Sequence, residues 1–201
     1  MQEHFAEGDL IRRAVIAGDL DSARKAGSVL AGDEWTSNLR ASWKPHLAAV
    51  QSAAQRVAAA ADLPSAARAA GELGQACASC HEQVGKPAIH LADFDPNAPA
   101  MTRHVWAVDA MWWGLFVPAD AAWTAGAEAL GGSPLVLSDV PAIEAMAQRT
   151  YEIAHRARGA AMDQRARYFG ELLTTCASCH RSVGAELELG PAAPPHASAR
   201  P

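Results

Sequence analysis

Two stretches of the sequence decide its architecture: RAAGELGQACASCHEQVG at Arg68–Gly85 and RYFGELLTTCASCHRSVG at Arg167–Gly184. Aligned with each other, they share the pattern R-x-x-G-E-L-x-x-x-C-A-S-C-H-x-x-V-G at an offset of 99 residues. All four cysteines of the chain lie in these two stretches. Any function assigned to the cysteines must therefore account for this repeated motif.

The repeat extends over most of the chain. Five landmarks recur 100 positions later, namely Met1, His4, Asp9, Leu30 and Gly32 as Met101, His104, Asp109, Leu130 and Gly132. An ordered series of matches at a fixed offset indicates an internal duplication. The sequence predicts one copy at residues 1–86 and a second at 101–189, joined by a Pro-, Asp- and Asn-containing connector at 87–100. The Pro- and Ala-rich tail, residues 190–201, is predicted to be disordered.

The sequence pattern of each copy predicts four helices. Apolar and small residues recur at helical spacing in the first segment of both copies, and turn signals interrupt the pattern at 17–19 and 117–120. The third helix is expected from about Pro45 to Ala61, matched by a helix from Pro141 to about Ala160, and the fourth helix carries the motif. No segment shows sustained strand-like alternation. The fold class predicted is all-α, with two tandem four-helix bundles.

The composition of the chain bears on its binding partners and on how its interior is filled. The 201 residues carry a formal net charge of -5 without any basic run, so a nucleic-acid partner is not expected. No apolar run approaches the ~18 residues of a membrane span, so stable membrane insertion is not expected either. Half of the residues are apolar, but many of these are alanine, which contributes little buried area. Two small bundles of this composition are expected to need another filler for their interiors.

Cys-x-x-Cys-His is the attachment signature of c-type haem. The two thiols form thioethers with the porphyrin, and the histidine supplies an axial nitrogen to the iron. On a helix the three side chains stand at i, i+3 and i+4, on one face. The sequence therefore predicts two haem c groups, one on Cys77 and Cys80 with His81 as ligand, the other on Cys176 and Cys179 with His180.

Other uses of paired cysteines fit less well. Structural zinc pairs usually stand roughly 12–20 residues apart, whereas these pairs are 99 residues apart. A redox-active dithiol is expected after a strand of a thioredoxin-like unit, and no such strand is indicated. Disulfides remain an alternative, although they would not require a histidine after each pair.

The second axial position of each iron decides the function. His4 and His104 stand at matched places in the first helix of each copy and are the candidate distal ligands. Met1 and Met101, on the same face, are alternatives, as is an open sixth position. The remaining histidines, His46, His90, His155 and His196, are interpreted as surface or packing residues. Arg68 and Arg167 are candidates for contact with a haem propionate or for a surface or capping role.

A helical unit with Cys-x-x-Cys-His in its last helix resembles the class II cytochromes c, the cytochrome c′ family. The resemblance implies a four-helix bundle with its haem attached near the C-terminus and its distal side faced by the first helix. His4 and His104 stand in that helix, which makes low-spin relatives with a sixth protein ligand the closer analogy. Familiar members carry one haem per chain and often dimerise, so a homodimer remains open here.

These features predict a dihaem electron carrier that works with redox partner proteins. The alternative is a protein that binds NO or CO at an open distal site. An enzyme such as a peroxidase is not expected, because no distinct acid/base constellation is visible. Haem c is attached after export in bacteria, so a periplasmic location is predicted, although the start MQEHFAEGDL does not have the pattern of a secretory signal.

Overall fold

The computed structural model describes residues 2–32, 40–85, 89, 91–132, 141–185 and 189. Within these residues all regular structure is helical, which confirms the prediction of an all-α protein. The first copy contains α1 (Gln2–Ala17), α2 (Leu20–Ala31), a short 3-10 helix (Ala41–Trp43), α3 (Lys44–Ala58) and α4 (Leu63–Val84). The second contains α5 (Ala100–Phe116), α6 (Asp120–Gly131), α7 (Pro141–Ala157) and α8 (Met162–Ser182). The tail at 190–201 lies outside the described residues.

In each copy the first helix ends and the second begins where the turn signals predict. Gly18 follows α1 with a φ of +79°, a conformation that glycine adopts without steric cost. Asp19 then caps α2, its carboxylate accepting a hydrogen bond of 2.9 Å from the amide of Ser22. In the second copy the chain leaves α5 after Phe116 and enters α6 at Asp120.

The third helices correspond in a different register from the one that the sequence suggested. Buried positions repeat at 100 residues: Leu47, Val50, Ala53, Ala54 and Val57 match Ala147, Thr150, Ile153, Ala154 and Ala157. Pro45 and Pro141, 96 residues apart, are therefore not equivalent. Each proline is near a helix start because its fixed φ suits the first turn, whereas burial sets the register of the packed face.

The motif helices are bounded by local signals. Asp62 and Ser65 form a reciprocal capping box at the start of α4, with Pro64 in its first turn. The Val-Gly pair after each motif marks the end of each helix. Gly85 and Gly184 both have positive φ, +107° and +62°.

The two motif helices cross at matched glycines. A Cβ atom added to Gly71 of α4 would collide with the backbone of Ala166 in α8. A Cβ atom added to Gly170 of α8 would lie 3.0 Å from the Cα atom of Arg68 in α4. Both glycines belong to the repeated R-x-x-G-E-L pattern, so the duplicated motif also supplies one of the contacts between the two copies.

One hydrophobic core runs through both copies, and the second copy supplies its largest side chains. Trp112, Trp123 and Phe169 are almost fully buried. The matched positions of the first copy hold smaller or charged residues, namely Arg12, Ala23 and Ala70. None of the helices in the described part of the chain combines the length and apolarity needed to cross a membrane.

Candidate functional site

The two Cys-x-x-Cys-His motifs lie on α4 and α8 and define two candidate sites. Site one comprises Cys77, Cys80 and His81, which are 5%, 9% and 7% exposed. Site two comprises Cys176, Cys179 and His180, all of them half-buried. The four thiols are free, so the disulfide alternative is not realised in this structure.

Each motif histidine contacts the first helix of the other copy. The Nδ1 atom of His81 lies 2.9 Å from the carbonyl oxygen of Phe116, the last residue of α5. The Nδ1 atom of His180 lies 3.1 Å from the carbonyl oxygen of Ile16, in the last turn of α1. Ile16 and Phe116 are themselves matched positions, 100 residues apart. Carbonyls in the last turn of a helix lack intrahelical donors, and the imidazoles satisfy these two.

These contacts fix the tautomer of both histidines. A backbone carbonyl can only accept, so Nδ1 of His81 and of His180 carries a hydrogen, and in the neutral form of each ring Nε2 has the lone pair. Metal-bound histidines in proteins use the same arrangement, with the second ring nitrogen donating to a carbonyl or carboxylate. Burial also lowers the pKa of His81, although the hydrogen bond to Phe116 opposes this shift. A neutral imidazole at neutral pH is the form that binds a metal.

The motif thiols are protonated at neutral pH. Burial, reinforced by the neighbouring thiol, raises the pKa of Cys77 far above its usual range and the pKa of Cys176 to about 12. Burial also raises the pKa of Cys80 and of Cys179. Among the described residues no three His, Cys, Asp or Glu side chains are arranged to hold a metal ion.

The structure brings His4 towards site one. His4 is partly buried on α1, and its pKa is lowered to about 4, mainly by burial and also by the nearby His81. The next residue, Phe5, packs edge-on against Phe116 with ring centroids 5.2 Å apart. Phe116 in turn contacts the ring of His81 at 5.1 Å. The start of α1, the end of α5 and the motif of α4 therefore meet.

The other candidate ligands have different surroundings. His104 is 7% exposed and its ring lies 6.3 Å from that of Tyr151 on α7. Met101 is 41% exposed, and Met1 lies outside the described residues. His46 is half-buried and His155 is exposed, while His90 and His196 also lie outside the described residues.

Arg68 and Arg167 lie together at the crossing of α4 and α8. They line a cleft of about 380 Å³ that none of the motif cysteines or histidines lines. The guanidinium of Arg167 lies 3.5 Å from Glu171 and 4.5 Å from the ring centroid of Tyr168. The structure places both arginines at the helix crossing. Their contact with a haem propionate stays a prediction. A second cleft, of about 410 Å³ between the connector, α5 and α6, is lined by Phe94 and Trp106.

Sequence reasoning missed an aromatic wall at site one, defined here as Phe5, Trp113 and Phe116. Phe5 stacks on Trp113 with ring centroids 4.5 Å apart and an interplanar angle of 17°. The tryptophans of the second copy can be read from the sequence, and tryptophan rings can pack on a porphyrin. Their contact with Phe5 cannot, because no sequence pattern connects α5 to α1 or to the motif of α4.

A buried charge cluster ties α1 to α5 between the two sites. Arg12 is 7% exposed and its guanidinium lies 2.6 Å from the carboxylates of both Asp9 and Asp109. Arg13 lies 2.9 Å from the other oxygen of Asp9. Asp9 and Asp109 are matched positions of the two copies, so the cluster fixes the first helices relative to each other.

The residues of both sites fit haem c in their chemistry. Each site offers two free thiols one helical turn apart, followed by an imidazole whose Nδ1 atom is held by a backbone carbonyl. Comparison with known proteins adds nothing to this assignment, since no protein-family model, no curated protein and no solved structure matches the chain.

Proposed function

We propose that this protein is a dihaem c-type cytochrome that transfers electrons between redox partner proteins. Each half of the chain forms a four-helix bundle, and one haem c is held by Cys77 and Cys80, the other by Cys176 and Cys179. His81 and His180 are the proximal ligands. The observation that carries the proposal is the fixed tautomer, since both motif histidines donate Nδ1–H to a helix-terminal carbonyl.

When bound, haem c supplies an iron that alternates between its ferrous and ferric states. The protein's part is attachment, orientation and exclusion of water. The thiols fix one edge of the group, and the carbonyls of Phe116 and Ile16 hold the imidazoles in one orientation. At site one Phe116 of the aromatic wall packs on His81, and the motif side chains are less than 10% exposed.

His4 and His104 are proposed as the distal ligands. The lowered pKa of His4 keeps its imidazole neutral at neutral pH, as iron ligation requires. Two imidazoles per iron give a filled coordination shell, which favours simple electron transfer over reaction with added ligands. The periplasm is the proposed location, since covalent haem attachment takes place there in bacteria.

Covalent haem attachment tests this proposal. The chain, produced in a bacterium with a complete haem c maturation system, should gain the mass of two haem groups that survives denaturation. The variant with both Cys77→Ser and Cys80→Ser should gain one, and so should the variant with Cys176→Ser and Cys179→Ser. A protein that leaves this system without covalent haem would refute the function.

A haem protein that binds NO or CO is the competing function. At site two the motif side chains are half-buried, so this site is more open to solvent than site one. Spectra of the reduced protein with and without CO separate the two functions. Low-spin bands that CO leaves unchanged support the carrier, whereas a rapid shift on addition of CO supports ligand binding.

A further inference from the structure

The two candidate sites have different walls although their motifs are identical. At site one the wall consists of Phe5, Trp113 and Phe116. The matched positions, each 100 residues away, hold Val105, Arg13 and Ile16. The contact between the carbonyl of Ile16 and His180 shows that the end of α1 occupies at site two the place that the end of α5 has at site one.

The side chains of the two sites also differ in how deeply they are buried. At site one Phe116 is 2% exposed, Phe5 and Trp113 are half-buried, and the three motif side chains are below 10% exposed. The motif side chains of site two are half-buried, and Val105, which matches Phe5, is 55% exposed. Site one is therefore enclosed by apolar rings, and site two is closer to water.

Fixed charges do not distinguish the two sites as clearly as burial does. Arg13, which replaces Trp113, is bound to Asp9 at 2.9 Å, and Arg12 is bound to Asp9 and Asp109. These two arginines and two aspartates carry no net charge together. The residues after the motif histidines, Glu82 and Arg181, differ in sign, but both are exposed, so water and salt screen them.

We propose that the aromatic wall makes the two haem groups inequivalent and gives the haem at site one the higher reduction potential. The inference rests on the proposed function. Ferric haem carries one more positive charge than ferrous haem, and enclosure by apolar groups disfavours the more highly charged state. An electron that enters at the exposed site two then passes spontaneously to the enclosed site one. Phe5 is the positioning residue that completes the wall, because it contacts both Trp113 and Phe116.

A reciprocal exchange of the matched residues tests this inference in the haem-loaded protein. Spectroelectrochemical titration of the unaltered chain should resolve two one-electron steps. The variant with Cys176→Ser and Cys179→Ser retains site one only and should reproduce the higher step. Phe5→Val should lower the higher potential, and Val105→Phe should raise the lower one. Val29→Phe, at a position 54% exposed on α2, should leave both potentials unchanged and is the matched control for an added ring.

The outcomes separate this inference from the proposed function. Two covalent haem groups with equal potentials, or with the higher potential at site two, would overturn the inference and leave the cytochrome intact. Absence of covalent haem would instead overturn the function itself. If Phe5→Val impairs folding, Phe5→Leu keeps more of the apolar contact, and Val105→Phe tests the inference from an exposed position.

Discussion

The Nδ1 atom of His81 lies 2.9 Å from the carbonyl oxygen of Phe116, so a histidine of the first motif is oriented by a helix of the second copy. His180 and Ile16 repeat this relationship in the opposite direction at 3.1 Å. Each half of the chain therefore contacts the motif histidine of the other half. Neither motif is held only by its own copy.

Stability should depend on the glycine at the helix crossing. Gly71→Ala places a Cβ atom against the backbone of Ala166, so the two motif helices have to separate. We expect the free energy of unfolding to fall by about 1–3 kcal/mol, as in other overpacked cores. Urea denaturation measures this change. Gly159→Ala is the control, since no atom lies within 4 Å of the added carbon, and an equal loss there would contradict the argument.

The buried charge cluster should be sensitive to loss of its central arginine. Arg12→Met keeps much of the side-chain volume but removes the partner of Asp9 and Asp109. Breaking a buried ion pair in this way lowers the free energy of unfolding by about 3–5 kcal/mol. We expect a loss of about 3 kcal/mol here, because Arg13 still contacts Asp9. Arg158→Met is the control. Its pair with Glu128 is exposed and contributes about 0–1 kcal/mol, so similar losses for both variants would contradict the prediction.

Much of the helix pattern could be predicted because it is encoded locally. The turn at Gly18, the capping box at Asp62 and the Val-Gly pair after each motif all act on neighbouring residues. The third helices show the limit of this approach. Pro45 and Pro141 mark helix starts correctly but give the wrong correspondence between the copies, since only the buried face reveals that register.

The exchange of contacts between copies could not be predicted for a different reason. Both copies carry the same pattern, so a sequence cannot distinguish a motif that meets its own first helix from one that meets the other. The acceptors at Ile16 and Phe116 are backbone carbonyls, which every residue has. The close crossing at Gly71 and Gly170 likewise depends on contacts between segments that are distant in the sequence.

The stability of the haem-free protein should fall with acid because of His4. Its pKa is about 4 in the folded chain against 6.5 for an ordinary histidine, so the unfolded state binds the proton more readily. Stability contributed by the neutral imidazole is therefore present above about pH 6.5 and is lost as the pH falls towards 4. Urea midpoints measured across this range should decline less in His4→Gln than in the unaltered chain. His155→Gln, at an exposed position, should follow the unaltered chain, and identical declines in all three would contradict the assignment.

The distal ligands can be tested one iron at a time. His4→Ala should convert the haem at site one to the high-spin form, since the iron loses its sixth ligand, and His104→Ala should do the same at site two. Electron paramagnetic resonance of the oxidised protein distinguishes the two spin states, and each variant should convert half of the signal. His46→Ala, in a half-buried position on α3, is the control and should leave both haem groups low-spin. Unchanged low-spin spectra in His4→Ala and His104→Ala would show that other groups, Met101 among them, occupy the sixth positions. A high-spin spectrum of the unaltered chain would instead indicate open sites and favour the binding of small ligands.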